Sequence, residues 1–534
     1  MKPTGMKKAL SHYKLPIIIA LIQWFITTVF QFDRAIFTYE AETGKTLAVK
    51  LIYLLFLLAA WCFGFHVRDE IKNFNLAYQR GLQVFVVYFS FMMLILLFLW
   101  PGTWSWDDIA ILRGILEYTS FVEWQHFLSG LYQAVLLQVI PHPGGVILIQ
   151  NAIISVCVAF CVVKLETCFG IRRIKNVYVD LLIKLLPFLT FPVLMYQFSG
   201  YRMGLYVYLE LTMLVIVICG IRENSEWSWK YILLLAFLVS IVASWRTESL
   251  FYVIFISLAL VFLGKKVLSR KKKIVAIVII FLAFLCLNRI QNSYLVDSDY
   301  KLASLMGPYA AVIKAGDTEA DKENLEIIGK VIDVDMVLAD PDARGTDLFW
   351  GGAYHSDYTQ EEFSDALKAL ISMSIKYPSA VLEERWGVFK RATGITCESW
   401  MINWRNISLF RGDDLSSNDE YFQEKGYYPP FTRLRARMIN YLSCYNAGGE
   451  CIEWLRLIVW NAWIPMIVLV AAWFGYLFKR KWYNLLLCTA VVIRIPVVFL
   501  TEPSGWIMYL LSFYFLGYMY LVYEIVISRQ RAGK

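Results

Sequence analysis

Apolar residues in this chain gather into long blocks separated by short charged stretches. Blocks at approximately 16–31, 47–65, 82–100, 144–163, 177–195, 203–221, 231–245, 248–264, 273–289, 457–478, 483–500 and 505–527 reach or approach the roughly 20 apolar residues that carry a helix across a bilayer. They predict about twelve membrane-spanning helices. The stretch 127–140 is also apolar, but about fourteen residues is short for a crossing. It predicts an interfacial or re-entrant helix; as a span it would invert the sidedness of everything after it. One long segment, 290–455, lacks such blocks. Within it Glu361–Tyr377 has apolar residues at helical spacing up to Pro378, and Ala380–Arg391 resumes the pattern. The acidic stretch 316–347, with Asp340-Pro341-Asp342, reads as turn and loop. The spacing predicts a small, mostly helical domain of about 165 residues, within ordinary domain size.

Composition excludes a soluble chain. It is 58% hydrophobic and only 18% charged, with mean hydropathy +0.53, more apolar surface than a soluble domain hides. Charge then sets the orientation. With an even number of spans both termini share a side. That side collects Lys7, Lys8 and Lys14, Arg68 and Lys72, Arg172 and Arg173, Lys265 and Lys266, Arg270–Lys273, Lys479–Lys481 and Arg529. The opposite short loops hold only Arg34, Lys45, Arg113, Arg202 and Arg246. Positive charge marks the cytoplasmic side, so both termini are expected there and 290–455 outside. That segment carries 26 acidic against 16 basic residues, a net of −10 that leaves +18 on the rest of a +8 chain. The basic excess therefore belongs to loops near anionic membrane lipid and gives no support to a nucleic-acid partner. The first span is expected to serve as an uncleaved signal-anchor.

Four parts follow: two helices to residue 81, a seven-span block over 82–290 with outward loop 101–143, the external domain 291–455, and three closing spans over 456–534. No internal repeat of the kind common in secondary transporters is visible. Of ten cysteines, Cys397, Cys444 and Cys451 lie in the outward segment, where disulfides are permitted. Cys444 and Cys451 bracket a turn-forming stretch and are the disulfide candidates, with connectivity open. With five histidines in the whole chain, a zinc site has little support. Asn406-Ile407-Ser408 fits a glycosylation sequon, a pattern frequent by chance.

The outward loops bring together groups with chemistry. After the third span come Asp107 and Asp108, then Glu123, Trp124 and His126. Later turns supply Arg202, then Arg246 with Glu248, and the last supplies Glu502, with Arg494 two turns below it. Carboxylates act as general bases and arginines clamp phosphate oxygens. A base beside several guanidiniums at the outer interface suits a lipid-phosphate substrate. Each group has a plainer reading. Asp107 or Asp108 can cap the helix that Ile109 begins, and His126 can be a satisfied interfacial histidine. Arg202 and Arg246 can snorkel to headgroups, Arg494 can pair with Glu210, and Asp180–Lys184 forms a structural i,i+4 pair. The tryptophans are mostly interfacial belt residues.

Pro101-Gly102-Thr103-Trp104-Ser105-Trp106-Asp107, with Trp124-Gln125-His126 before an interfacial helix and Arg246 at the outer end of a later span, resembles the C-superfamily (GT-C) of integral-membrane glycosyltransferases. It is most similar to a poorly characterised bacterial subgroup related to the dolichyl-phosphate-mannose protein mannosyltransferases. The resemblance spans most of 82–290 in layout and about ten positions in motif. It implies an all-α polytopic fold and a polyprenyl-phosphate-linked sugar as donor. The acceptor would be a surface glycan, lipid or protein. Asp107, with Asp108 and His126 beside it, would be catalytic; Arg246, Arg202 and Arg494 would hold the donor phosphate, with Glu248 and Glu502 in support. Relatives often carry Lys-Asp where this chain has Arg202-Met203, Arg-His or Arg-Asn where it has Arg246-Thr247, and Arg-Tyr near its Trp506-Ile507. The first departure removes a candidate metal ligand, so no obligatory metal is expected and a divalent ion stays open. Two rivals remain: a surface-polysaccharide polymerase or ligase, with Arg433, Arg435 and Arg437 as its candidate arginines, and a lipid-linked solute transporter or flippase.

Overall fold

The computed structural model describes residues 3–29, 43–118, 124–223, 225–295, 298–317, 319–396, 427 and 429–532. Glu123, Cys397 and the 406–408 sequon lie outside them. The chain is an all-α membrane protein; among the described residues there is no strand, only two isolated bridges. Twelve helices come first: α1 Pro3–Val29, α2 Thr43–Lys72, α3 Leu76–Leu99, α4 Trp106–Tyr118, α5 Phe127–Val139, α6 Pro143–Phe169, α7 Val177–Leu185, α8 Phe191–Gln197, α9 Met203–Glu223, α10 Trp229–Trp245, α11 Phe251–Phe262 and α12 Arg270–Leu295. Among the described residues seven helices are long and apolar enough to cross a bilayer, and eight if the α7–α8 pair, bent by 71°, is one broken span. The other expected crossings are apolar helices at 13–28, 229–245, 247–262 and 511–526, shorter than that test requires. Length and composition alone therefore do not reach twelve. Ser228 caps α10 at one end, and Arg246 ends it at the other.

The break between α7 and α8 has local causes. Pro187 and Pro192 sit where helices start, with a single 3-10 turn between, and proline cannot donate to the preceding turn. The chain after α8 then makes the tight turn 197–202, whose carbonyls need partners. Gln150 donates to the oxygens of Gln197 (2.9 Å) and Ser199 (3.1 Å), while Tyr132 (3.0 Å) and Gln133 (2.9 Å) both donate to that of Gly200. Tyr132 and Gln133 come from α5, which at thirteen residues is about 20 Å long, too short to cross. Its buried residues, among them Ser129, Gln133 and Gln138, pack inside the protein rather than lying open at an interface.

The segment after α12 holds α13 Met306–Ala315, α14 Lys322–Ile328, α15 Val334–Ala339, α16 Gly345–Trp350, α17 Gln360–Lys376 and α18 Pro378–Thr393. It has a hydrophobic core of its own around Met306, Tyr309, Ile332 and Met373. Thr359 and Glu362 form a reciprocal capping box that starts α17, and Pro378 opens α18. The acidic stretch 316–347, read as turn and loop, contains α14, α15 and the start of α16 instead. Leu325, Ile328, Val331 and Val337 feed that core; their spacing is hidden among the acids of 317–342. Turns separate these helices at 319–321, 329–331 and 341–342, the last with the Asp342 N–H donating to Asp340 Oδ1 (3.2 Å).

The chain closes with α19 Thr432–Leu442, α20 Glu453–Val459, α21 Trp463–Phe478, α22 Trp482–Val492, α23 Arg494–Thr501 and α24 Leu511–Ala532. Cys444 and Cys451 are not bonded to each other in this structure. Backbone contacts close their loop: the Ile452 N–H donates to the Cys444 carbonyl (2.8 Å), and Tyr445 bridges Cys451. The Cys444 side chain is buried in the core, whereas Cys451 Sγ accepts from Arg456 Nη1 (3.6 Å). Asp180 and Lys184 do pair (2.8 Å), inside a larger buried cluster in which Lys184 also reaches Glu166 (2.7 Å) and Arg80 reaches both acids (2.8 and 2.5 Å). Two acids and two bases balance there, which makes such burial tolerable.

Candidate functional site

The site begins where α3 ends. Gly102, with φ +119°, passes so close to the 197–202 turn that a Cβ would lie 2.7 Å from the Phe198 carbonyl; only glycine adopts this conformation without strain. The Thr103 N–H donates to that same carbonyl (2.8 Å). Trp104 is fully buried, donates to the Pro101 carbonyl (2.9 Å) and packs on Gly200, where a Cβ would sit 2.4 Å from its ring. Arg435 of α19 donates to the Gly102 carbonyl (2.8 Å). The motif loop is thus clamped on several sides.

This clamp separates the roles of the two aspartates. Asp108 is fully buried and accepts from the Ser105 N–H (2.7 Å) and the Gly200 N–H (2.8 Å). It locks the motif loop to the 197–202 turn; the helix begins at Trp106 rather than Ile109, so neither aspartate is its N-cap, and Asp108 reaches back from the first turn instead. Burial pushes its carboxyl well above the usual range against the pull of those two N–H groups. Asp107, one residue earlier on α4, is partly exposed and receives only a long bond from Gln125 Nε2 (3.4 Å). Burial raises its carboxyl above the ordinary value; the Arg202 guanidinium, then Gln125, pull it back. Asp108→Asn leaves one buried N–H without an acceptor, so it is expected to lower stability by about 1–3 kcal/mol, measured as a fall in Tm of the detergent-extracted protein.

His126 is the N-cap of α5: its Nδ1 accepts from the Leu128 N–H (3.3 Å). The ring is therefore neutral with its proton on Nε2, which has no hydrogen-bond partner among the described residues. Burial, with Arg202 adding to it, brings its pKa down to about 3. Gln291, near the end of α12, fixes this corner by accepting from the Phe127 N–H (2.7 Å) and donating to the Gln125 carbonyl (3.5 Å).

The arginines differ. Arg202, half-buried just before α9, donates to the Trp245 carbonyl (3.4 Å) and has no ion pair within 4 Å among the described residues. Arg246, buried at the end of α10, pairs through Nε with Glu248, points Nη1 at Met203 Sδ (3.0 Å) and lies 5.5 Å from the Tyr509 ring centre. Arg494 stands behind them. It is fully buried, pairs with Glu210, donates to the Tyr252 hydroxyl (2.9 Å), and reaches Glu248 only at 4.0 Å. It therefore braces Glu248 and lies apart from the half-buried space at Asp107 and Arg202. Glu502 is also buried, with neither carboxylate oxygen hydrogen-bonded among the described residues. Burial pushes it well up, more than Arg385 and Arg391 pull it down.

Several residues here escape sequence reasoning. Tyr300, in the segment after α12, has its hydroxyl raised to about 12 by burial, then by Asp107, with Arg202 and Arg246 opposing; it therefore stands among all three. The same segment touches the closing helices through Thr346 to the Pro503 carbonyl (2.7 Å) and Arg385 to the Glu502 carbonyl (2.7 Å). No motif marks Tyr300, Tyr509 or Gln291. A usable signal did exist for Gln133 and Gln150, polar residues inside apolar helices that must earn partners. Among the described residues no three His, Cys, Asp or Glu side chains gather as a metal site. Comparison with protein-family models, with curated proteins and with solved structures finds no match to this chain.

Proposed function

We propose that this chain is a GT-C-type glycosyltransferase of the plasma membrane. It moves a sugar from a polyprenyl-phosphate donor to a surface glycan, glycolipid or protein acceptor on the outer face. The observation that carries this reading is the meeting of one partly exposed carboxylate, Asp107, with Arg202 and Arg246 from separate turns beside an apolar bundle. The acceptor hydroxyl oxygen attacks the anomeric carbon of the donor sugar while Asp107 takes its proton. The bond from that carbon to the phosphate oxygen breaks, and its electron pair stays on the phosphate. Arg202 and Arg246 offset the charge left there. Glu248 holds Arg246 in place, Glu502 feels the charges of Arg385, Arg391 and Arg246, and the free Nε2–H of His126 donates to acceptor or phosphate. In this reading all twelve apolar helices cross, both termini are cytoplasmic and 290–455 lies outside, in keeping with the positive-inside distribution.

Glycan analysis of cells with and without the protein tests the activity. Loss of one sugar substituent is the expected result. Loss of long polymer with substituents intact would favour a polymerase using an oligosaccharide-diphosphate donor; Arg433 and Arg437 would then be the residues to test, because Arg435 already serves the Gly102 carbonyl. Unchanged glycans would favour transport. For His126, asparagine keeps an N-cap acceptor and removes the Nε2–H. His126→Asn is expected to slow transfer roughly tenfold, the worth of about one hydrogen bond, with Tm unchanged.

A further inference from the structure

A second site lies elsewhere in the bundle. Helices α9, α21, α22 and α24, with the end of α6, enclose a crevice of about 600 Å³, within the range of pockets that hold small ligands. Along α9 it runs from Leu211 to Arg222, eleven residues or about 16 Å of helix, close to half the roughly 30 Å hydrocarbon core. Its walls are apolar, formed by Leu214, Ile218, Ala472 and Leu516 among others. Its chemistry changes at one end. There Arg222, Lys479 and Lys481 line it, from the ends of α9 and α21 and the start of α22, with Glu524 as the one acidic group in the lining. Arg222 is held in place by its Nε bond to the Cys168 carbonyl (3.0 Å) and by stacking 4.5 Å over Phe169.

We infer that this crevice binds one anionic glycerophospholipid of the basic-side leaflet. An acyl chain lies along the apolar wall, and the headgroup phosphate sits among Arg222, Lys479 and Lys481. The length of one leaflet, the apolar wall and the cationic mouth are the three features such a lipid requires, and a soluble anion needs only the last. None of these residues belongs to the constellation around Asp107, so the site is separate from the proposed transfer chemistry.

Gly475 supplies the test. It lines the crevice, and a Cβ added there would meet nothing within 4 Å, so Gly475→Phe fills the space without displacing a neighbour's backbone. The full-length protein is extracted in mild detergent, titrated with dioleoyl phosphatidylglycerol or dioleoyl phosphatidylcholine, and bound lipid is counted by native mass spectrometry. The wild type is expected to retain one phosphatidylglycerol saturably and in preference to phosphatidylcholine. Gly475→Phe is expected to lose it with Tm unchanged. The pair Lys479→Ala/Lys481→Ala is expected to weaken phosphatidylglycerol about fivefold per cation removed and leave phosphatidylcholine unaffected. Equal retention of the two lipids by the wild type, undiminished binding in Gly475→Phe, or saturable retention of polyprenyl phosphate alone would each overturn the inference. If Gly475→Phe fails to fold, the lysine pair decides the matter, because both lysines lie at exposed helix ends.

Discussion

Asp107→Asn is expected to lower sugar transfer by about 10²–10⁴-fold, the usual contribution of a positioned general base, while protein level, membrane insertion and Tm stay as in the wild type. The reason lies in what Asp107 does not do. It receives one long bond, from Gln125, whereas its neighbour Asp108 holds two backbone N–H groups. The amide is nearly the same size as the carboxylate and keeps an oxygen for Gln125, so little structure depends on the change. Full activity in Asp107→Asn would remove the base from the mechanism and with it the glycosyltransferase reading. The pH profile gives an independent check. Burial raises the Asp107 carboxyl above its ordinary value, and the base works only when ionised. Transfer should therefore rise with pH through a midpoint above that of an ordinary aspartate and fall away below it. His126, brought down to about 3, stays neutral throughout, so the acid limb belongs to Asp107. Removing the Arg202 charge takes away a pull that lowers this midpoint, so Arg202→Gln should shift the limb to higher pH.

How much of this was legible beforehand depended on the range of the interaction. Helix positions follow from apolar blocks, a local property, and α17 with its proline stop was visible residue by residue. The Asp180–Lys184 pair was readable because i,i+4 spacing is local too; its partners Arg80 and Glu166 lie far off in the chain and were not. The two aspartates looked alike as a dipeptide. They separate only because the 197–202 turn, some ninety residues on, presents the Gly200 N–H to one of them. Tyr300 arrives from another segment altogether. Helices α14 and α15 were hidden for the opposite reason: each is one or two turns long, too short for a periodic signal to rise above its acidic surroundings.

Arg494→Met is expected to destabilise the protein by about 3–5 kcal/mol, because it strands Glu210 as an unpaired charge in a fully buried position. The loss should appear as a large drop in Tm and in extractable protein. The partner change decides what the loss means. In Glu210→Leu/Arg494→Met both charges are gone, and replacing a buried pair by apolar groups of similar volume is often neutral or stabilising, so Tm should recover most of the way. Transfer by the double variant then reads the role of Arg494 apart from its role in folding. The guanidinium is fully buried, and its nearest group at the site, Glu248, lies 4.0 Å away while holding Arg246 by a closer pair. An arginine that acts only by bracing Glu248 costs little activity once the fold is restored. The double variant should therefore retain transfer within about tenfold of wild type, the scale of one lost interaction. A stable double variant with no transfer would instead put Arg494 in contact with the donor phosphate, alongside Arg202 and Arg246. Arg246→Ala provides the contrast. It removes a guanidinium from the site itself and leaves Glu248 still facing Arg494, so transfer should fall by more than in the double variant at a smaller cost in Tm than that of Arg494→Met.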